Sequence, residues 1–269
     1  MINLKKLLLI CCISFISSFA LAGQNCNESD LMKNELVIKA TNASQKLIDA
    51  ANYLSPNGDK VFLIGRIGQD LSNYNQKYSH GAFLVKKDNS WQVFHELNIC
   101  SSNQSKLYNE GVLNFFLDDL YKYDSIIIGF PEKLNKNLQS ILSNKDILKS
   151  AHNSNYNLVA YPFDDKYQNS NGWLLEVLAR AIAKEYNIEI SNHQDFIYFI
   201  KKTNYEPDVL EINMFKRLGG RMFKANVAFD DQPFNERMSG HIHTYTFDGL
   251  FKFLKNKNFI SQSMEIPAN

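Results

Sequence analysis

The spacing of hydrophobic and polar residues predicts most of the secondary structure of the chain. Apolar residues recur at helical spacing over 29–54, with Ser29 and Asp30 as potential caps and Pro-Asn-Gly at 56–58 as the stop. Residues 61–67 are typical of a strand. Further along, the same criteria predict helices over 113–123, 131–149, 171–186 and 247–255, and strands over 126–130 and 158–163.

The segment 78–97 predicts a β-hairpin that carries two histidines. Both halves are rich in aromatic and β-branched residues, and the turn formers Asp-Asn at 88–89 lie between them. A two-residue turn would place His80 and His95 on one face of the hairpin. A three-residue turn would bring Glu96 to that face instead. Either register gives His80 a polar neighbour able to orient it.

The N-terminal residues predict export. Two lysines precede an apolar run over 7–19, and Ala-Leu-Ala at 20–22 matches a cleavage signal, so we interpret 1–22 as a secretory signal peptide. The apolar run is too short for a stable membrane span. We therefore expect a periplasmic protein with no transmembrane anchor after cleavage, comprising residues 23–269.

The expected mature segment is long enough for one large domain. It has about 247 residues and contains no internal repeat or Pro/Gly-rich linker. Helices on either side of a hairpin indicate an α+β fold rather than a doubly wound sheet. The 29 Lys and Arg residues of the whole chain nearly balance its 28 Asp and Glu residues. This near neutrality argues against a nucleic-acid partner.

Cysteine usage agrees with export. Cys26 and Cys100 are the two cysteines beyond residue 22, and two thiols in an oxidising compartment most simply form one disulfide. The alternative is a catalytic thiol. Neither cysteine opens a predicted helix, which is a position that activates such a group.

A second chemical signal lies at the start of the helix predicted over 171–186. Asn169 and Ser170 precede that helix, and a side chain at a helix N-terminus feels the positive end of the helix dipole, which supports a nucleophile there. In most helices such residues are simply caps.

The hairpin and this helix start together resemble known enzymes. Ser79-His80 and the later His95 are similar to the histidine motif of NlpC-type cell-wall peptidases, a strand S-H-x-G-h-h-h followed by a strand ending in h-h-H-A. In the circularly permuted branch of that papain-like superfamily, which includes YiiX-like proteins and lecithin retinol acyltransferase, the nucleophile follows the histidine and opens a helix in the motif N-C-x-x-F. Residues 169–173, Asn-Ser-Asn-Gly-Trp, match this motif with serine in place of cysteine.

The whole expected mature chain resembles the bacterial domain of unknown function family 2145 (DUF2145). The resembling segments are the start at Cys26 and residues 68–72, 78–80, 95–98, 114–119, 161–163, 167–171 and 221–231. The expected organisation is a signal peptide over 1–22 and one DUF2145-like domain over 23–269. The more distant resemblance implies a papain-like, permuted NlpC-type fold with a central antiparallel sheet packed with helices.

The resemblance also implies a site formed by Ser170, His80 and His95, in which the Ser170 helix start packs against the face that the histidines share. In the enzyme hypothesis, Ser170 attacks an amide or ester carbonyl, His80 is the general base, and His95 or alternatively Glu96 orients it. A serine must lose its proton during attack, whereas a papain-like cysteine is already a thiolate. The alternative is therefore an inactive relative that binds a peptidoglycan peptide, a lipid or a periplasmic partner.

Candidate binding residues flank the predicted cleft, although aromatic residues at such spacing are more often core: Tyr167, Asn169, Asn171 and Trp173. His241 and His243 are two positions apart, a spacing that would place both imidazoles on one face of a strand as metal ligands. No cluster of Asp, Glu or Cys accompanies them in the sequence. We expect neither a metal nor a cofactor. The substrate and the oligomeric state are not predicted.

Overall fold

The structure is a computed structural model that describes residues 33–57 and 60–268. Its helices are α1 (Asn34–Leu54), α2 (Val112–Phe116), α3 (Glu132–Leu142), α4 (Lys145–Ser150), α5 (Ser170–Glu185), α6 (His193–Lys202), α7 (Met214–Phe223), α8 (Phe234–Ser239) and α9 (Phe247–Asn256), with a short 3₁₀ helix at Ser72–Tyr74. Its strands are β1 (Phe62–Ile67), β2 (His80–Lys87), β3 (Ser90–Asn98), β4 (Ser105–Gly111), β5 (Lys122–Gly129), β6 (Asp208–Glu211), β7 (His241–Thr244) and β8 (Gln262–Ile266).

An antiparallel sheet forms the centre of the fold. Its six strands lie in the order β4-β3-β2-β1-β5-β8, and each neighbouring pair is antiparallel. Strands β6 and β7 pair separately as a two-stranded sheet. The molecule is thus a mixed domain of helices and an antiparallel sheet, which agrees with the predicted α+β class.

Helices cover both faces of the central sheet. One face packs against α3, α5, α6 and α9 in a core that includes Phe83, Trp173 and Phe196. The other face packs against α1 and α2, in a core that includes Phe62 and Phe115. All six residues of β1 are consequently buried, as expected for a strand that is covered on both sides.

A pair of glycines allows α9 to approach the sheet closely. Gly65 and Gly81 face each other across β1 and β2, and the ring of Phe247 at the start of α9 lies over both. A Cβ atom added at Gly65 would lie 2.6 Å from this ring, and one added at Gly81 would lie 2.5 Å from it. Both distances are far inside van der Waals contact, so only glycine leaves room for the ring.

The hydrophobic pattern located several long elements correctly. The helices predicted over 171–186 and 247–255 are α5 and α9, the strand predicted over 61–67 is β1, and the predicted hairpin is β2 and β3. These segments combine a clear apolar period with a recognisable cap or turn, which is the combination that makes a local prediction reliable.

The helix predicted over 113–123 is wrong in its second half. Arg66 on β1 donates from Nη1 to the carbonyl oxygen of Phe115 and from Nη2 to Asp118 at 2.5 Å. In a longer helix, the Phe115 carbonyl would accept from the N–H group four residues later. A tertiary contact therefore ends α2, and the chain turns into β5.

The strand predicted over 158–163 is also wrong, because this segment forms turns. The N–H group of Val159 donates to Asn157 Oδ1 at 3.2 Å, and that of Tyr161 donates to Asp231 Oδ2 at 2.8 Å. Side chains satisfy the backbone here instead of a neighbouring strand.

The helix predicted over 131–149 is divided into α3 and α4. The division lies at Asn144, whose side chain accepts from the N–H groups of Asp146 and Ile147. Asparagine competes in this way for backbone donors and favours a new helix start over continuation of the previous helix.

The apolar pattern missed β4 because that strand is mostly polar. It pairs with β3 along its length, from Asn98↔Ser105 to Gln92↔Gly111. As the edge strand of the sheet, it needs no regular apolar alternation. Its register matters because it delivers a carboxylate to the candidate site.

The described residues address the export predictions only in part. Residues 1–22 and Cys26 lie outside them. Cys100, just after β3, is disulfide-bonded, while its pairing with Cys26 stays a prediction. Within 33–57 and 60–268, we find no helix with the length and apolarity needed to cross a membrane.

We predict that Gly81→Ala destabilises the protein by roughly 1–3 kcal/mol, because the new methyl group would overpack against Phe247. The free energy of unfolding in urea measures this effect. Gly111→Ala is the matched control, since a Cβ atom added there would meet nothing within 4 Å. Equal decreases in the free energy of unfolding of both variants would show that contact with Phe247 does not restrict the residue type at position 81.

Candidate active site

A two-residue turn sets the register of the β2–β3 hairpin. The residues at 88–89 have φ of 49° and 64°, as a type I′ turn requires. The paired residues follow without a shift: Lys87↔Ser90, Lys86↔Trp91, Val85↔Gln92, Leu84↔Val93 and Phe83↔Phe94. This is the register predicted for a two-residue turn, and it places His80 and His95 on one face.

The structure brings Ser170, His80 and His95 together. His80 Nε2 lies 3.0 Å from His95 Nδ1, and His80 Nδ1 lies 3.2 Å from Ser170 Oγ. All three side chains are buried. The two ring nitrogens of His80 thus connect the other imidazole to the hydroxyl group.

The start of α5 contacts His80 through Ser170, whereas the body of the helix lies elsewhere. Its body packs on the face opposite the histidines, where the Trp173 ring lies 5.8 Å from that of Phe83. Ser170 is the first residue of α5 and His80 is the first residue of β2. The two side chains can therefore meet at the end of the strand, although the body of α5 packs on the face opposite the His80 side chain.

Glu110 completes a chain of hydrogen bonds that the sequence did not reveal. Its Oε1 lies 2.9 Å from His95 Nε2, and its Oε2 accepts from Asn114 Nδ2 at 3.4 Å. Glu110 was missed because β4 was missed. A strand predicted after β3 and paired with it as a second hairpin would have indicated that Glu110 lies beside His95.

One arrangement of protons satisfies every bond in this chain. A carboxylate can only accept, so His95 donates from Nε2 to Glu110 and accepts at Nδ1. His80 then donates from Nε2 to His95, and its Nδ1 accepts from the Ser170 hydroxyl. Both imidazoles are neutral in this arrangement, and the free lone pair of His80 faces the hydroxyl.

The surroundings favour this protonation state. Burial, then the Arg66 cation and His95, lower the pKa of His80 well below its ordinary value. Burial also lowers the pKa of His95, although the hydrogen bond with Glu110 opposes this effect. Burial alone would raise the pKa of Glu110, but its interactions with His95 outweigh burial, so that pKa is lowered. The site at neutral pH is therefore two neutral imidazoles and one carboxylate.

Glu96, the alternative orienting residue, faces away from His80. Its carboxyl group is fully buried, and neither oxygen has a hydrogen-bond partner of good geometry within the described residues. The nearest cationic candidate is His152 Nε2 at 3.9 Å, and the hydroxyl of Ser105 bonds that nitrogen at 2.9 Å. Burial raises the pKa of Glu96 to about 8, against a smaller lowering by Ser105.

A cavity of about 220 Å³ lies beside Ser170. Its lining includes Gln69, Tyr156 and Asn171. Gln69 Nε2 and Asn171 Oδ1 are buried and have no hydrogen-bond partner within the described residues. One unpaired donor and one unpaired acceptor at the same cavity suit a ligand with an amide or similar polar group.

The predicted binding residues divide between the cavity and the core. Asn169 and Asn171 line the cavity. Asn169 also caps α5, because its Oδ1 accepts from Gly172 N–H at 2.9 Å. Trp173 is buried in the core and Tyr167 packs against its edge, and neither lines the cavity.

Tyr156 is a site residue that the sequence did not indicate. It is buried, it lines the cavity together with Ser170, and burial raises its pKa well above the ordinary value. It is held there by bridges from Tyr156 to Gln168 and from Gln104 to Asn155. Because the phenol stays protonated, it can donate a hydrogen bond into the cavity.

The sequence has been compared with known families and proteins. The profile of a family of uncharacterised proteins conserved in bacteria, DUF2145, matches residues 53–254. No curated protein and no solved structure matches the chain. The site geometry is therefore the main source of information on chemistry.

We predict that Glu96→Gln gains stability relative to the wild type as the pH rises. The pKa of Glu96 is raised from 4.5 to about 8 in the folded protein. The wild type should therefore lose stability between about pH 5 and pH 8, on the order of 1 kcal/mol per pH unit, and the variant lacks this loss. Urea unfolding at several pH values measures the difference.

Glu110→Gln is the control of opposite sign. Because the pKa of Glu110 is lowered, its charged form stabilises the folded protein at neutral pH, and this contribution disappears as the pH falls through its folded pKa. Parallel pH profiles for wild type and Glu96→Gln would show that Glu96 is not held neutral by burial.

Proposed function

The chain belongs to the DUF2145 family, and we propose that it hydrolyses or transfers an acyl group of an amide or ester in the cell envelope, with Ser170 as nucleophile. One observation carries this proposal. A continuous series of hydrogen bonds runs from Ser170 through His80 and His95 to Glu110, and it begins beside a cavity. Nucleophile, base and orienting groups in series are the signature of nucleophilic catalysis.

In the proposed reaction, His80 Nδ1 takes the hydroxyl proton while Ser170 Oγ forms a bond to the substrate carbonyl carbon. The carbonyl π electrons move to oxygen and form a tetrahedral oxyanion. When the carbonyl re-forms, the bond to the leaving nitrogen or oxygen breaks, and that atom receives the proton from His80. Water or an acceptor amine or alcohol then attacks the acyl-serine by the same steps in reverse.

The His95 imidazole and the Glu110 carboxylate stabilise the positive charge that His80 gains in this step. When His80 is protonated, its Nε2–H group still donates to His95, and the negative charge of Glu110 is one residue further along the series. This arrangement stabilises the imidazolium without a carboxylate in direct contact with His80. It also fixes which nitrogen of His80 faces Ser170.

The oxyanion has two candidate sources of stabilisation. Ser170 opens a helix of 16 residues whose dipole is positive at this end. The N–H groups of Gly172 and Trp173 donate to Asn169, so the candidates for the oxyanion are the N–H groups of Ser170 and Asn171. The Tyr156 phenol lines the same cavity as Ser170, and because burial keeps it protonated it can donate to the oxyanion. Each hydrogen-bond donor placed where charge develops lowers the activation free energy of such a reaction by roughly 3–4 kcal/mol.

The order of the site residues in the chain supports the finer classification. His80, His95 and Ser170 follow the order of the circularly permuted papain-like enzymes that the sequence resembles. We therefore propose a permuted papain-like fold. The basic and apolar N-terminus with its Ala-Leu-Ala signal supports export to the periplasm.

A second candidate function is ligand binding without catalysis, in which the cleft binds a ligand but does not convert it. Two observations favour it. Serine occupies the position of the cysteine nucleophile, and burial and Arg66 lower the pKa of His80, which makes it a weak base. In that case the unpaired amide groups of Gln69 and Asn171 would bind a polar ligand such as a peptidoglycan peptide.

We predict that a fluorophosphonate probe labels wild-type protein at Ser170. Ser170→Ala should abolish labelling, and His80→Ala should reduce its rate roughly 10²-fold or more, because the hydroxyl loses its base. Mass spectrometry of the labelled peptide locates the adduct. Ser79→Ala is the matched control, since this cavity serine accepts from Gly68 N–H instead of contacting His80, and it should label normally.

Absence of labelling in the wild type would oppose the enzyme hypothesis, and Ser170→Cys then decides the outcome. In a site still arranged for catalysis, the helix N-terminus and His80 would lower the pKa of the new thiol, and alkylation would be fast below pH 8. Alkylation at the rate of an ordinary thiol would leave the binding module as the function.

We predict that Tyr156→Phe slows labelling of Ser170 by roughly 10²-fold, because one oxyanion donor is lost. The pH dependence of the rate should be unchanged, since His80 is intact. Tyr205→Phe is the control, because it removes a buried hydroxyl that has no hydrogen-bond partner within the described residues. A rate near that of the wild type in Tyr156→Phe would exclude the phenol from the reaction.

A further inference from the structure

Helix α7 presents its apolar side to solvent. Four large apolar residues lie along one arc of the helix and are exposed by the fractions given: Met214 (60%), Phe215 (79%), Leu218 (58%) and Met222 (66%). The inward side instead carries Arg217, whose Nη1 donates to the carbonyl oxygen of Ile212 at 2.7 Å. Surface helices of globular proteins normally have the opposite arrangement.

Helix α8 also exposes apolar side chains. It exposes Phe234 and Met238, and it is tied to the chain before α7 because the N–H group of Ile212 donates to the Gly240 carbonyl at 2.8 Å. We call the six exposed side chains of α7 and α8 the α7–α8 patch. Of the fourteen exposed large hydrophobic side chains among the described residues, these six fall within 214–238 and the rest are spread over 38–209. Such clustering marks an interaction surface.

Positive charge borders the α7–α8 patch. Lys216 and Arg221 are exposed on α7, and that helix contains no acidic residue. The neighbouring acidic residues are accompanied by histidines. Glu236 of α8 lies 3.3 Å from His241 Nδ1 and 3.6 Å from His243 Nε2, and Glu211, before α7, lies 3.3 Å from His241 Nε2. An apolar surface with adjacent cations is complementary to a bilayer that contains anionic lipids.

We propose that the α7–α8 patch docks the protein on an anionic membrane surface. The Met, Phe and Leu side chains enter the boundary between headgroups and acyl chains, and Arg221 contacts the headgroups. Lys216, whose Nζ lies 5.6 Å from the centroid of the Tyr74 ring at the cavity, adds to the positive potential of this side of the molecule. The charge distribution disfavours a second copy of the chain as the occupant, because self-association of this patch would bring the cations of both copies together.

The patch adjoins the candidate site. Lys216 on α7 and Ile212 just before it line the cavity beside Ser170. Docking would therefore hold the cavity close to the membrane surface. The docking proposal goes beyond the chemistry proposed for Ser170 and does not require it.

Vesicle flotation tests the docking proposal. The protein is purified as it accumulates in cells, with its N-terminus defined by mass spectrometry, and mixed with vesicles of phosphatidylethanolamine and phosphatidylglycerol or of phosphatidylcholine alone. We expect binding to the anionic vesicles that weakens in high salt. Phe215→Ser/Leu218→Ser and Lys216→Ala/Arg221→Ala should each lower the affinity roughly tenfold or more. The control Ile38→Ser/Tyr53→Ser, which removes exposed apolar side chains of α1, should bind as the wild type does.

A local reporter separates docking by the patch from any contribution of the N-terminal residues. Both native tryptophans, Trp91 and Trp173, are buried. In Leu218→Trp, the added fluorophore should shift its emission to shorter wavelength with anionic vesicles. In Tyr53→Trp on α1, no shift is expected.

Three results would overturn the docking proposal. One is absence of vesicle binding by the wild type, and another is an unshifted Leu218→Trp emission in the presence of anionic vesicles. The third is a dimer in solution, measured by light scattering, that Phe215→Ser/Leu218→Ser dissociates, since the patch would then be an interface between copies of the chain.

Discussion

The two-residue turn at 88–89 is the constraint on which the candidate site depends. Side chains alternate strictly along a strand, so the turn length decides which residue of β3 faces His80. The observed register presents His95, whose other nitrogen can bond Glu110. A slip by one residue would present Glu96 instead. Asp and Asn adopt positive φ values more readily than most residues do, so they favour the two-residue turn and the register that it sets.

Ionisable groups are buried on both faces of the central sheet, and their pKa values shift in opposite directions on the two faces. On the α1 and α2 face, Glu110 has a lowered pKa because it bonds His95, and Arg66 is paired with Asp118. On the opposite face, Glu96 has a raised pKa because no partner compensates its burial. A buried carboxyl group is charged only where a hydrogen bond or a cation offsets the loss of water. The same rule keeps both site histidines neutral, and neutrality is what a general base requires.

The candidate site and the α7–α8 patch can be understood together. The cavity beside Ser170 is small and polar where the nucleophile lies, and it is bounded on another side by Ile212 and Lys216. A protein that holds its cavity at a membrane surface would meet substrates confined to that surface at high local concentration. In the proposed reaction, the demanding step is the removal of a proton from the Ser170 hydroxyl, because burial and Arg66 make His80 a weak base.

The sequence by itself determined the hairpin, the helix start at Ser170 and the membership of the family, because alternation, turn residues and caps are local signals. It left two hairpin registers open, and the structure decided between them. The tertiary structure decided the rest of the site. Glu110 lies on an edge strand without an apolar pattern, and Tyr156 reaches Ser170 only through bridges between distant loops. Arg66 likewise ends α2 through a contact that spans 49 positions of the chain. Such contacts join segments that local periodicity cannot relate, because the period of one element contains no information on which other element it will touch.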